Sequence, residues 1–427
     1  MKSVQEIIAR HKSGSAVGIY SACSAHPLVI EAALRHAQRE EAAVLIEATS
    51  NQVNQDGGYT GMRPADFSRF VLAIAGRLGV PGEQVLLGGD HLGPNCWQDL
   101  PAEAAMAKSE QLIADYVAAG FRKIHLDCSM SCAGDPKPLT DGQVAARAVR
   151  LCAAAERTWR RVGGEAPVYV VGTEVPVPGG AQEDLAELAL TEPKAAAATI
   201  HAHWQAFQSA GLQPVWPRVI GLVVQPGVEF DNYKVIDFKA SKAAGLAGLI
   251  EEQPHMVYEA HSTDYQTPEN LRALVQSHFA ILKVGPGLTF ALREALWALD
   301  GLERAWLGAE RSSQLPQTLM QAMTAAPKFW NKYYLSTGRQ LELDQQYSLS
   351  DRIRYYWTVP EVELATNRLF ENLDANPPPL TLLSQYLPLQ YEAIRAGRLR
   401  PRAREMVLHA VEQVLQHYSA ACADHAS

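Results

Sequence analysis

Over roughly the first 300 residues one pattern recurs. A short β-branched or aliphatic run ends in a polar residue, a loop follows, and then an Ala/Leu/Glu/Arg-rich amphipathic stretch. That order is the signature of βα units and a parallel sheet. The apolar runs predict strands over 17–23, 43–49, 84–90, 122–127, 167–174, 218–225, 255–261 and 279–285. Between them, 26–40, 64–79 and 105–120 carry apolar positions at helical spacing, and the last two end on Gly79 and Gly120. Eight such units predict an α/β fold, a (β/α)8 TIM barrel occupying 1–300.

From about residue 300 the alternation stops. Stretches around 316–335, 348–373 and 404–420 read as helices, broken by Pro377, Pro378, Pro379 and Pro388. This predicts a helical C-terminal extension, 301–427, packed on the barrel or on another subunit. Its cluster Tyr355-Tyr356-Trp357, behind Arg352 and Arg354, reads as core or interface packing, with a ligand-facing role as the alternative.

The chain has 427 residues, 47% of them hydrophobic, which is ample for a large core. A formal net charge of -8 argues against a nucleic-acid partner. No apolar run reaches the ~20 residues of a membrane span, and the first residues lack the apolar core of a signal peptide. A cytoplasmic protein is the expectation. Six scattered cysteines make no disulfide framework and are expected to be reduced thiols.

In a parallel barrel all strand ends open on one face, where catalytic groups gather. Here the ends carry Ser21 and Ser24, Glu47, Asp90 and His91, Asp127, Glu174, Gln225, His261 and Lys283. An Asp-His pair in GGDHLGPN can supply a base and a metal ligand, and its glycines let a ligand approach the backbone. His91, His261 and Glu174 converging on one mouth can hold Zn²⁺ with an open position; a metal-free polar cluster is the alternative. Lys283 precedes Gly285 and Gly287 at a helix start, which suits phosphate; a Schiff-base lysine and an ion pair with Glu259 are the other options. The loops 47–67, with Asn51 and Gln52, and 126–141 are long, polar and suited to sugar hydroxyls. No GxxxxGK[ST] phosphate loop occurs.

The segments EATSNQVNQDGGYTGM, GGDHLGPN, HLDCSMSC, GTEVPVPGG, QPGVEFD, EAHSTDYQTP, ILKVGP, LTFALREAL and SQYLPLQY together resemble the GatZ/KbaZ (Z-type) subunit of D-tagatose-1,6-bisphosphate aldolase. The resemblance covers nearly the whole chain. It implies a fold related to zinc-dependent class II ketose-bisphosphate aldolases. It further implies an accessory role: stabilising a catalytic Y-type (GatY/KbaY-like) partner in galactitol or N-acetylgalactosamine breakdown, with a homo-oligomer also expected. Set on the class II pattern, Asp90 falls at the acid/base position, His91 at the first zinc ligand, Glu174 near a site glutamate and His261 at the last ligand. Gln225 stands where the middle histidine would be. Ser262, Thr263 and Asp264 replace a glycine-rich phosphate segment, and Gly285 replaces an asparagine. Asn51, Asp127, Ser262, Thr263, Lys283 and Gly285 are therefore the expected substrate- or phosphate-binding residues. A glutamine amide is a poorer zinc ligand than imidazole. The departures thus favour the accessory role over an independent metal-dependent aldolase or epimerase acting on ketose phosphates.

Overall fold

A computed structural model describes residues 3–173 and 188–424. Eight parallel strands close a barrel: β1 (Ile19–Cys23), β2 (Val44–Thr49), β3 (Val85–Leu92), β4 (Lys123–Leu126), β5 (Val168–Val171), β6 (Val219–Val223), β7 (Val257–Ala260) and β8 (Ile281–Val284). Each lies beside its neighbours in sequence, and β8 closes on β1 with Ile19 opposite Ile281 and Ser21 opposite Lys283. All eight strands fall where the apolar runs place them, and the TIM barrel is the observed fold. A two-residue antiparallel ladder, Glu229–Phe230 with Val235–Ile236, decorates the connection from β6 to β7.

Period-two alternation sorts the side chains. In β4, Ile124 and Leu126 join the large apolar core outside the strands, while Lys123 and His125 are fully buried. In β7, Tyr258 and Ala260 join that same core. Val257, one step away, joins a second, smaller apolar cluster with Ile19, Leu45, Val168, Ile220 and Ile281. This smaller cluster is sealed by Val4 and Ile8 of the helix Val4–Lys12, whose start is fixed by reciprocal Ser3 and Glu6 caps. The barrel interior therefore has an apolar floor, and its polar residues lie toward the strand C-termini.

The C-terminal region is helical, as the loss of βα alternation predicts. Residue 300 falls inside the helix Pro286–Leu307 that follows β8. One apolar core runs through both regions, joining barrel residues such as Val29 and Leu292 to Leu319, Leu369 and Leu415. The last helix, Ala403–Cys422, packs against helices Pro27–Arg39, Pro268–Gln276 and Pro286–Leu307. Ion pairs Arg404–Glu31 (2.5 Å) and Arg35–Glu405 (2.8 Å) border that contact. Among the described residues no helix is long and apolar enough to cross a membrane. The six cysteines are free thiols.

The floor helix is held by a titratable contact. His11 Nδ1 lies 2.6 Å from the Val17 carbonyl and Nε2 lies 2.9 Å from His278 Nδ1. Burial lowers the His11 pKa to about 4, against the pull of the Val17 carbonyl. A histidine depressed in the folded state binds its proton more readily when unfolded. Its stabilising contribution is therefore present above about pH 6.5 and lost as pH falls toward 4. Thermal unfolding followed between pH 7 and 4.5 is expected to show a loss on the order of 2 kcal/mol from this group. His11→Gln should flatten that slope; an unchanged slope would contradict the assignment.

Candidate functional site

The site grows from side chains on alternate strand positions. Glu47 of β2 and Glu259 of β7 face Lys123 of β4, whose Nζ lies 2.7 Å from Glu47 Oε1 and 2.5 Å from Glu259 Oε2. Lys283 of β8 contacts the other Glu47 oxygen and lies 3.0 Å from Asp90 Oδ1. All but Asp90 and Lys283 are fully buried, and those two nearly so. Removing one member of such a pair strands a buried charge, at a cost of about 3–5 kcal/mol. Gly88 makes the packing feasible: a Cβ there would sit 2.5 Å from Glu47 Oε1. At Gly93 it would sit 1.7 Å from the Asp127 carbonyl. The glycines of GGDHLGPN thus admit the protein's own groups rather than a ligand.

Above this layer, Asp90, His125, Glu259 and His261 each offer a ligand atom, all within 4.8 Å of one another. His125 Nδ1 is 3.0 Å from Asp90 Oδ1, and His261 Nε2 is 2.9 Å from Glu259 Oε1. Burial opposes charge on Asp90 and Glu259. The charge of His91 on Asp90 and of Lys123 on Glu259, with the neighbouring imidazoles, outweighs it and keeps both carboxyls ionised. Burial lowers the His261 pKa, so its ring is neutral, the form that coordinates metals. Two imidazoles and two carboxylates are a donor set for a divalent transition ion such as Zn²⁺. The fully buried His125 Nε2 has no hydrogen-bond partner, and Nδ1 also faces the His91 amide at 3.2 Å. One proton cannot satisfy both the Asp90 and the His91 contacts, and a cation beside Asp90 would. The residues fit a metal.

His91 was expected as a ligand, but stands beside this quartet. Its backbone is left-handed (φ 48°), just where the β3–β4 register shifts between Gly89 and Leu92. Its Nδ1 is held 2.7 Å from Asp127 Oδ2, which also accepts from Ser129 through Oδ1. Burial lowers the His91 pKa, but Asp90 and Asp127 overcome it and raise it to about 9, so the ring is protonated. Asp127, expected to bind substrate, instead fixes His91. Gln225 is not in the site. Its Oε1 accepts from the amides of Gly227 (2.9 Å) and Val228 (3.2 Å), closing the turn after β6. Glu174 lies outside the described residues.

The cluster opens on a cleft lined by Asp90, His91, His261 and Lys283, with Cys23, His26, Asn51, Gln52, Tyr59 and Ser262. Asn51, Ser262 and Lys283 thus reach the cleft as expected, Ser262 with a left-handed backbone (φ 53°). Thr263 does not. Its hydroxyl donates to the Lys283 carbonyl, and its own carbonyl accepts from Tyr418 of the last helix. The amides of Gly285 and Gly287 cannot receive phosphate, because Asp264 Oδ1 already caps them at 2.9 and 2.7 Å. Lys283 pairs with Glu47 and Asp90 more closely than with Glu259, at 3.9 Å, and these pairs hold its ammonium although burial lowers its pKa to about 8. The extension supplies the opposite wall: Arg354, Tyr355, Trp357 and Thr358. Tyr355 packs on Tyr59 of the loop after β2, with ring centroids 4.7 Å apart. His125, Glu259 and Lys123 escape a search of strand ends alone. Their signal is alternation, since Lys123-x-His125-x-Asp127 and Glu259-x-His261 place ionisable residues on one strand face.

The model of the family described as D-tagatose-1,6-bisphosphate aldolase subunit GatZ/KbaZ-like matches residues 4–423. A crystal structure of a probable tagatose 6 phosphate kinase from Sinorhizobium meliloti 1021 is 51% identical, with 95% of this chain and 100% of that chain covered and a TM-score of 0.88. Weaker likenesses include the fructuronate-tagaturonate epimerase UxaE from Cohnella laeviribosi (12% identity, 95% and 82% covered, TM-score 0.49). The YdjI aldolase from Escherichia coli K12 (12%, 85% and 96%, 0.41) is another.

The ligand set is testable by metal analysis of protein loaded with Zn²⁺ and dialysed. His125→Ala and His261→Ala are each expected to weaken retention tenfold or more. Gln225→Ala should retain metal as the parent does. Retention unchanged in both histidine variants would remove the proposed site.

Proposed function

We propose, from the premise that this chain belongs to the GatZ/KbaZ-like family of D-tagatose-1,6-bisphosphate aldolase subunits, that its strand-end site performs divalent-metal-dependent chemistry on a ketose phosphate. The reaction class is that of an aldolase or an epimerase. The observation that carries this reading is the buried quartet Asp90, His125, Glu259 and His261 at the edge of a polar cleft. His125, Glu259 and His261 would hold the ion, zinc by its donor set, and leave Asp90 free as a base. A divalent ion there supplies Lewis-acid polarisation of the ketose carbonyl.

Asp90, ionised and beside the cleft, takes the proton of the hydroxyl two carbons from that carbonyl. The carbon–carbon bond between them then breaks, giving an aldehyde and an enediolate. The ammonium of Lys283, 3.0 Å from Asp90, and the protonated His91 lie where negative charge develops. Release of the aldehyde, return of the proton from Asp90 to the enediolate carbon and departure of the resulting ketone complete an aldolase cycle. If the aldehyde turns its other face and the bond re-forms, Asp90 returns the proton and the product is the epimer. Arg354, Tyr355, Trp357 and Thr358 border the cleft, and holding both fragments there would give epimerisation.

A second reading is the accessory subunit: a chain in the cytoplasm that stabilises a Y-type aldolase partner in galactitol or N-acetylgalactosamine breakdown. The closure of the Gly285 and Gly287 amides by Asp264 favours it for a bisphosphate, because one expected phosphate grip is taken. The purified chain, given Zn²⁺ or Mn²⁺, is expected to convert D-tagatose 6-phosphate and to lose that activity in EDTA. Asp90→Asn should lower kcat by about 10²–10⁴-fold. No turnover with either ion, together with a longer half-life of a Y-type partner on co-expression, would sink the first reading and support the second.

A further inference from the structure

A phosphate is held by backbone amides or by cationic side chains, and the Gly285 and Gly287 amides after β8 are already taken by Asp264. Besides the histidines, the cleft is lined by two cationic side chains, Lys283 and Arg354. Lys283 is neutralised by Glu47 and Asp90. Arg354 has no carboxylate within ion-pair distance among the described residues; its hydrogen bonds go to neutral oxygens. Nη1 donates to the carbonyls of Ser350 and Asp351 (3.0 Å for the latter), and Nη2 to the Tyr355 hydroxyl at 3.0 Å. The guanidinium also stacks on the Tyr355 ring, 4.5 Å from its centroid. The nearby acids are otherwise engaged: Asp264 caps Gly285 and Gly287, and Asp351 accepts from Thr289 at 2.5 Å. A guanidinium has five N–H donors, and these bonds use three. The cleft has a second donor without a partner. Trp357 lines the cleft, is 4% exposed, and its buried Nε1–H has no acceptor among the described residues.

We propose that Arg354, assisted by the Trp357 indole N–H, is the subsite for the terminal phosphate of the substrate. Recognition of the anionic end thus lies on the C-terminal extension, while the chemistry lies on the barrel. This rests on the ketose phosphate reading above. A planar guanidinium held by backbone carbonyls and an aromatic face is pre-organised for bidentate contact with phosphate oxygens. With Asp90 and His261 lining the cleft from the barrel and Arg354 lining it from the extension, the cleft is polarised. It suits a ligand with hydroxyls and a carbonyl at one end and a single anionic group at the other.

The test measures binding apart from turnover. Inorganic phosphate and D-tagatose 6-phosphate are titrated calorimetrically into the zinc-loaded full chain and into its R354M and R354Q variants. Both ligands are expected to bind about 30-fold or more weakly to the variants, and W357F to lose about 3- to 10-fold. In the parent, modification of Arg354 by an arginine-specific dicarbonyl, read by mass spectrometry, should be slowed by inorganic phosphate; this arm stands if the variants do not fold. Where turnover is measurable, R354M should lower the preference in kcat/KM for D-tagatose 6-phosphate over D-tagatose. Unchanged phosphate binding in both Arg354 variants, or no protection in the parent, overturns the proposal. So does weakened binding of tagaturonate with phosphate unaffected, which would make the subsite one for a carboxylate. If phosphate binding depends on Arg354 but nothing is turned over, the subsite stands and the catalytic reading falls.

Discussion

Charge balance inside a closed barrel governs this molecule. Glu47, Asp90, Asp127 and Glu259 bring four carboxylates into the buried barrel interior, against the ammonium groups of Lys123 and Lys283 and the protonated ring of His91. Each charge is tolerable only because another touches it. Beside these groups lie the neutral imidazole of His261 and the unpartnered nitrogen of His125. The donor set of Asp90, His125, Glu259 and His261 is compatible with a divalent cation.

The apolar floor makes this balance matter. Val4 and Ile8 close the bottom against Ile19, Leu45 and Val257, so the interior charges are solvated only through the mouth. At the mouth, the extension narrows access with Tyr355 packed on Tyr59 and Trp357 set edge-on to His26. The extension is thus part of the site's walls, and its own polar groups decide what enters. The strained backbones at His91 and Ser262 sit on the same rim, where left-handed conformations aim side chains that an extended strand would turn aside.

Much of the fold was legible in the sequence, because a parallel barrel strand is a short aliphatic run and a surface helix a 3.6-residue repeat. The strand ends were legible for the same reason, and Asp90, His261 and Lys283 stand at the cleft. The partners of those residues were not. Whether Gln225 reaches the centre or folds back to cap Gly227 depends on the turn after β6, which the pattern does not encode. Likewise nothing in Ser262-Thr263-Asp264 announces that Asp264 takes the two glycine amides, or that Thr263 answers to Tyr418 more than 150 residues away. His125 and Glu259 were hidden by their position one step inside the strand end. Asking which ionisable residues share a strand face would have found both.

The wide spacing along the chain of the buried charges has a consequence for how the protein is made. Glu47 and Lys123 emerge from the ribosome early, but Glu259 and Lys283 follow only with the last two strands. A nascent chain that has reached β5 can pair Glu47 with Lys123, but it still lacks Lys283 and Glu259, the second partner of each. Docking of β8 against β1 supplies the missing partners and the last hydrogen-bonded seam together. Such long-range closure folds slowly and as a unit. Until the ring is complete, the charges that shape the site are therefore only partly compensated.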